Sequence, residues 1–125
     1  IAPLRYRFVR IFEELNIESV WQCNEQWIDQ PTPLITITLS RVAEEALTNI
    51  LKHSQASYVN VLLKENENFI LEIHDNGKGF DPQQVEKELH VGLQSMQSRV
   101  EKMKGTLTIQ SQPQSTLICI MLPKT

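Results

Sequence analysis

The chain has 125 residues, 41% of them apolar, and a formal net charge of −3. That length suits one domain with its own core, and so mild a negative balance argues against a nucleic-acid or membrane-surface partner. No apolar run approaches the ~20 residues needed to cross a bilayer, and no signal peptide opens the sequence. The first residue is Ile, so a fragment of a longer protein is expected. Cys23 and Cys119 are far apart in apolar surroundings. They read as buried free thiols of a reducing cytosol and lack metal-ligand spacing.

Leu4, Phe8, Ile11, Phe12 and Leu15 recur every three or four residues, which predicts an amphipathic helix over 3–15 with Arg5, Arg7 and Arg10 on its solvated side. Residues 17–23 read as a strand, and Asp29, Gln30, Pro31 and Pro33 as a loop. Trp21 and Trp27 are expected to pack rather than to stack on bases. From Leu34 a helical period returns and runs to about His53. Residues 58–64 and 69–75 alternate apolar and polar positions, and the polar run 65–68 between them predicts a hairpin. Residues 81–91 carry no period and read as a mobile loop. A helix is expected from Gly92, with Leu93, Met96, Val100 and Met103 on one face and Gly105 as its C′ residue. Two more strands, 106–110 and 116–122, flank a turn at 112–115. Strands with one apolar face and helices to cover it predict an α+β two-layer sandwich, with a mixed, mainly antiparallel sheet and helices on one face only.

Three features within this frame bear on chemistry. Leu39, Val42, Ala43, Ala46, Leu47 and Ile50 form one apolar arc at ~100° per residue, and Glu45, Asn49 and Lys52 line up at its border. Such a column could hold a cation and phosphates, or it could be an ordinary Glu–Lys pair on a solvated edge. Asp75 falls in the core-facing row of Phe69, Leu71 and Ile73. A carboxylate there needs a partner: it either receives a ligand or caps the Asn76-Gly77 turn. The glycines at 77 and 79 permit close backbone approach, and Gly92-Leu93 at a helix start would offer free N–H groups to an anion. An acceptor-only carboxylate suits an amino group such as that of adenine, and an Asn oxygen suits Mg²⁺ that leans on substrate phosphates. Together these are the demands of ATP–Mg²⁺.

The order of these segments resembles the ATP-binding domain of sensor histidine kinases, a fold of the Bergerat type shared with type II topoisomerases, ninety-kilodalton heat-shock chaperones and mismatch-repair ATPases. Arg41-Val42-Ala43-Glu44-Glu45-Ala46-Leu47-Thr48-Asn49-Ile50-Leu51-Lys52-His53-Ser54 resembles that family's N-box. Asp75-Asn76-Gly77-Lys78-Gly79-Phe80 resembles its first glycine box, and Val91-Gly92-Leu93-Gln94-Ser95-Met96-Gln97-Ser98-Arg99-Val100 its second. The combination is most similar to the nitrate-sensor-like subfamily. The resemblance runs from about Leu34 to Pro123 and implies that residues 1–125 are one catalytic and ATP-binding domain.

It also implies roles. Asn49 would coordinate Mg²⁺, Glu45 would hold a metal-bound water or polarise the transfer, Lys52 would touch phosphate, and His53 would line the nucleotide site. Asp75 would take the adenine amino group, Gly77 and Gly79 would let the backbone approach the ring, Gly92 and Leu93 would border the lid, and Thr116 would lie near adenine. Residues 81–91 would be the lid. The γ-phosphoryl group would go to a histidine on a separate dimerisation domain and then to a response regulator. The full protein would be a homodimeric, membrane-bound sensor with this monomeric domain in the cytoplasm. Two positions depart from the family pattern: His90 replaces one glycine, and Pro113-Gln114-Ser115-Thr116 lacks two more. They motivate the alternative of a regulatory module that binds nucleotide weakly or not at all. A serine kinase of the anti-sigma-factor type is a third reading, disfavoured by the opening helix.

Overall fold

The computed structural model describes residues 2–23, 26–81 and 87–124. Helix α1 (Ala2–Glu14) buries Leu4, Phe8 and Phe12 of the expected stripe and half-buries Ile11, while Leu15 falls beyond the helix and is exposed. Its last turn closes with Asn16 in the left-handed region (φ 58) and the Ile17 N–H donating to the Phe12 carbonyl at 2.8 Å, a Schellman closure. Strand β1 (Glu18–Cys23) follows directly.

Helix α2 spans Pro33–Asn49. Thr32 caps it, its hydroxyl accepting the Ile35 N–H at 3.2 Å. Pro33 is the first helical residue rather than the end of the loop, because a first-turn residue needs no N–H and proline's fixed φ suits it. The helix ends four residues earlier than its period suggests. Ile50–Ser54 form a π-helical turn instead, and Gln55 leaves it in the left-handed region (φ 56). A wider turn breaks the 3.6-residue period, so Lys52 does not continue the column of Glu45 and Asn49.

Strands β2 (Tyr58–Glu65) and β3 (Asn68–Asp75) form the expected hairpin. Helix α3 spans Lys87–Lys102, so it begins well before Gly92. Of the expected mobile loop and lid, residues 82–86 lie outside the described residues, and 87–91 are helical. At the other end of α3 the left-handed C′ residue is Lys104 (φ 60), with the Gly105 N–H donating to the Val100 carbonyl at 3.0 Å. Gly105 is one position later than expected, and it is needed for space: a Cβ there would overlap the Met121 carbonyl oxygen and lie 2.6 Å from Leu122 Cδ2. Strands β4 (Thr106–Gln112) and β5 (Ser115–Pro123) close the chain.

The sheet order is β1-β2-β3-β5-β4, with β1 parallel to β2 and every other pair antiparallel. This is the mixed, mainly antiparallel α+β architecture read from the sequence. Val61 faces Ile73, Leu71 faces Ile120, and Ile109 faces Ile118 across the ladders. That row packs against Val42, Ala43, Ala46 and Leu47 of α2, Met96 and Val100 of α3, and Phe8 and Phe12 of α1. Each large side chain so buried contributes roughly 1.5–3 kcal/mol. No described helix is long and apolar enough to cross a membrane.

A polar clamp holds the far end of the sheet to the loop that leads into α2. The Glu65 carboxylate, 1% exposed, accepts the backbone N–H groups of Ile28 and Asp29 at 2.7 and 2.8 Å. Lys124 donates to Glu65 at 2.7 Å and to Asp29 at 2.8 Å. Burial alone would raise the Glu65 carboxyl, but the bonds from Lys124, Asp29 and Ile28 outweigh it and hold it below the usual carboxylate range. A depressed folded-state pKa supplies stability above the unfolded value and loses it as pH falls through the folded one. Glu65→Gln is therefore expected to lower the urea midpoint at neutral pH. The gap to the unmodified protein should close on acidification, and a pH series of urea melts measures it.

Candidate functional site

The C-terminal end of α2, the π-helical turn, the start of α3 and the adjoining ends of β3 and β5 enclose a cavity of about 520 Å³, within the range that holds small-molecule ligands. Its apolar wall is Ala46, Ile50, Leu89, Leu93, Ile118 and Phe80. Its polar groups divide into two ends, one set by β3 and β5 and the other by α2 and the π-helical turn.

At the β3–β5 end, Asp75 and Thr116 are paired across the ladder and both are 3% exposed. The alternation that builds the core carries both residues inward. Asp75 Oδ1 accepts the Gly77 N–H at 2.8 Å, and the Ser54 hydroxyl also bonds the carboxylate. The strand-end cap and the cavity-lining carboxylate are thus the same group. Burial pushes the Asp75 carboxyl above its ordinary range, and the bonds from Gly77 and Ser54 only partly offset this. The Thr116 hydroxyl lies 2.8 Å from Ser111 Oγ, which accepts the Phe80 N–H at 2.9 Å.

The glycines here approach protein, not open space. A Cβ on Gly77 would overlap the Ser54 carbonyl oxygen and side chain, and one on Gly79 (φ 75) would lie 2.6 Å from the Gln112 carbonyl oxygen. The Lys78 N–H donates to that Ser54 carbonyl at 2.7 Å, and the Gln114 N–H donates to the Gly77 carbonyl at 2.8 Å. Gly79 still borders the cavity; Gly77 does not. Asn76 clips the loop to β2, its Oδ1 accepting the N–H groups of Ser57 and Tyr58 at 2.9 and 3.0 Å.

At the α2 end, Asn49 lines the cavity and its Nδ2 is buried without a hydrogen-bond partner among the described residues. An orphaned amide on a cavity wall is costly unless a ligand completes it. Turning the amide over would present its oxygen instead, a donor suited to a hard cation. Among the described residues no cluster of three or more His, Cys, Asp or Glu could hold a metal, so a cation here would rely on Asn49 and on oxygens of the ligand. The Glu45 carboxylate points across to α3, where its Oε1 occupies the space a Cβ on Gly92 would need; Asn49 Nδ2 lies 3.3 Å from that same point. Gly92 is therefore a packing glycine in the second turn of α3, not a helix-start cradle for an anion. Lys52 is exposed and donates to Glu88 Oε1 at 2.8 Å across the cavity rim. This bond and the charge of Glu88 raise the Lys52 pKa, and the same pair lowers that of Glu88.

Of the residues singled out in the sequence, Asn49, Lys52, His53, Asp75, Gly79, Leu93 and Thr116 share the cavity, whereas Glu45, Gly77 and Gly92 stand behind its walls. Sequence reasoning missed Ser54, Asn76, Glu88 and Ser111. For Ser111 a signal existed: the alternation of Leu107 and Ile109 carries it inward, as it does Asp75.

The raised Asp75 pKa has a stability consequence. A carboxyl with a raised folded-state pKa supplies stability below the unfolded value and loses it as pH rises through the folded one. Asp75→Asn keeps an acceptor for the Gly77 N–H and removes that loss. Its melting temperature at neutral pH is expected to equal or exceed that of the unmodified protein, with the difference shrinking toward acid pH in calorimetric scans.

Residues 35–125 match the family described as Histidine kinase-, DNA gyrase B-, and HSP90-like ATPase. The chain is 35% identical over 130 residues to the signal transduction histidine-protein kinase/phosphatase DegS of Bacillus subtilis (strain 168), covering 98% of this chain and 34% of that protein. It is 39% identical over 93 residues to the oxygen sensor histidine kinase NreB of Staphylococcus carnosus (strain TM300), covering 73% of this chain and 27% of that protein. It thus spans about a third of the length of the first of these relatives. Among solved structures, the Acinetobacter baumannii histidine kinase AdeS superposes with a TM-score of 0.76 at 16% identity, over 99% of this chain and 64% of that one. The mycobacterial sensor histidine kinase MprB superposes with 0.68 at 23%, over 98% and 94%. The solved structures speak for the fold, and the sequence match for the family: this chain belongs to the histidine kinase-, DNA gyrase B- and HSP90-like ATPases, as a catalytic domain of the sensor histidine kinase kind.

Proposed function

We propose that this domain binds ATP with Mg²⁺ and presents the γ-phosphoryl group to a histidine on a separate dimerisation domain of the same protein. The observation that carries this reading is one cavity with a buried, acceptor-only carboxylate at one end and an orphaned amide at the other. Asp75 accepts the adenine amino group beside Thr116 and the Gly79 backbone, and Leu93 and Ile118 cover the ring. At the other end Asn49 would hold Mg²⁺ through its amide oxygen and Lys52 would meet a phosphate, with His53 on the same cavity wall. The ion neutralises phosphate charge when bound. Glu45, set against Gly92, would hold a water of the ion or polarise the transfer from just behind the wall. The protein's part is positioning and charge placement, with no covalent step on this domain. The phosphoryl group then passes to a response regulator. In the full-length protein this is the cytoplasmic part of a homodimeric, membrane-bound sensor.

The Lys52–Glu88 bond favours a second reading, a regulatory module that takes nucleotide weakly, because the cation meant for phosphate is already engaged. Calorimetry with ATP, with and without Mg²⁺, separates the two. Binding is expected for the unmodified domain. Asp75→Asn is expected to weaken it at least about tenfold, because an amide cannot accept at both of its atoms. Asn49→Ala should abolish the gain in affinity due to Mg²⁺. No binding at millimolar ATP would leave the regulatory reading standing. Glu88→Gln frees Lys52 and removes a like charge from the phosphate path. It is expected to tighten ATP binding about two- to fivefold, more at low salt than at high, as screening of an exposed pair requires.

A further inference from the structure

Helix α1 carries a second face, turned to solvent. Opposite the buried stripe of Leu4, Phe8 and Phe12, the residues Ala2, Tyr6, Val9 and Glu13 recur in alternating steps of four and three, the spacing of a helix–helix seam. Tyr6 is 68% exposed, and the Arg10 guanidinium lies over its ring, 5.9 Å from the centroid. Ala2, Arg5, Tyr6, Val9 and Arg10 surround a hollow of about 340 Å³. The charges on this helix run against its dipole. Arg5, Arg7 and Arg10 precede Glu13 and Glu14, with no acidic residue in the first turn and no basic one in the last. A helix by itself favours the reverse order. Arg7 is answered by Glu44 at 3.4 Å, whereas Arg5, Arg10, Glu13 and Glu14 form no ion pair among the described residues.

We propose that this face is a self-association surface, and that its occupant is α1 of a second copy of this chain, packed antiparallel. Charge order selects that occupant. A two-fold axis level with Val9 brings the two Val9 side chains together. It sets Arg5 of each copy at the level of Glu13 of the other, because each lies four residues from Val9. Both charges then meet an opposite partner, twice per dimer, and the two helix dipoles run antiparallel. A parallel arrangement would instead set Arg5 against Arg5 and Glu13 against Glu13. No residue of α1 lines the nucleotide cavity, so the contact leaves that cavity open and goes beyond the function proposed for it. One helix pair makes a small interface, which is weak on its own. In a longer chain already paired elsewhere, the tether raises its effective concentration.

Sedimentation equilibrium of the domain, from micromolar to millimolar concentration, tests this. The unmodified domain is expected to dimerise reversibly, more weakly at high salt than at low. Arg5→Glu and Glu13→Arg, each alone, set like charges opposite one another twice per dimer and are expected to weaken dimerisation about tenfold. An equimolar mixture of the two variants restores opposite charges at both places and should regain the unmodified affinity, as a heterodimer. Each substitution also brings α1 into line with its dipole, so either variant, when dilute, should melt no lower than the unmodified domain. Thermal unfolding thereby separates loss of contact from loss of fold. A domain that stays monomeric at millimolar concentration would overturn the proposal and leave the face to a different partner. Dimerisation that ignores both substitutions, or a mixture that stays as weak as its components, would rule out the antiparallel α1 contact.

Discussion

Burying a carboxylate at the end of a core-facing strand row imposes more on this molecule than any other single contact. Asp75 cannot be left unsolvated and unpaired. The Gly77 N–H and the Ser54 hydroxyl answer it, and both come from backbone that has to be brought close. Ser54 arrives because α2 gives way to a π-helical turn. Gly77 arrives because it lacks the Cβ that would strike Ser54. The loop is then clasped from the other side by the β4–β5 hairpin, through Gln114, Gln112 and Ser111. One polar group buried against the grain of the core thus organises three segments distant in sequence.

The same π-helical turn divides the chemistry of α2. Up to Asn49 the helix keeps its period, so Glu45 and Asn49 face α3 and meet Gly92. Beyond it the wider turn carries Lys52 to the rim and into contact with Glu88. A π-helical turn costs helical regularity and often marks a functional site. Here it separates an amide held inside the wall from an ammonium left outside, where a ligand's charge could compete for it.

Elements with a strong period were legible in the sequence. The amphipathic stripes of α1 and α3, the alternation in β2, β3 and β4, and the turn chemistry between them led to the α+β sandwich and to its one-sided helices. Asp75 was legible for the same reason, as a polar residue in apolar phase, whereas Thr116 was singled out only by the resemblance to the family. The start of α3 was not, because residues 87–91 carry only Leu89 and Val91 as apolar markers in a charged stretch. That error put Gly92 at a helix terminus, when its lack of a side chain serves the Glu45 carboxylate. The contacts of Ser111 and Asn76 were not legible, because each looks like ordinary turn or strand-end polarity until its partners, 31 and 19 residues away, are in place.

By itself the sequence determined which faces are apolar, where strands turn, and which polar residues break the pattern, since these depend on residue type and local period alone. The tertiary structure decided what those polar residues meet. It made Gly77 and Gly79 points of contact with protein rather than open approaches to a ligand, moved Lys52 off its column, and turned Gly92 into the floor for Glu45. Such outcomes depend on distances between segments far apart in the chain. They follow from how the helices settle on the sheet, and no local periodicity encodes them.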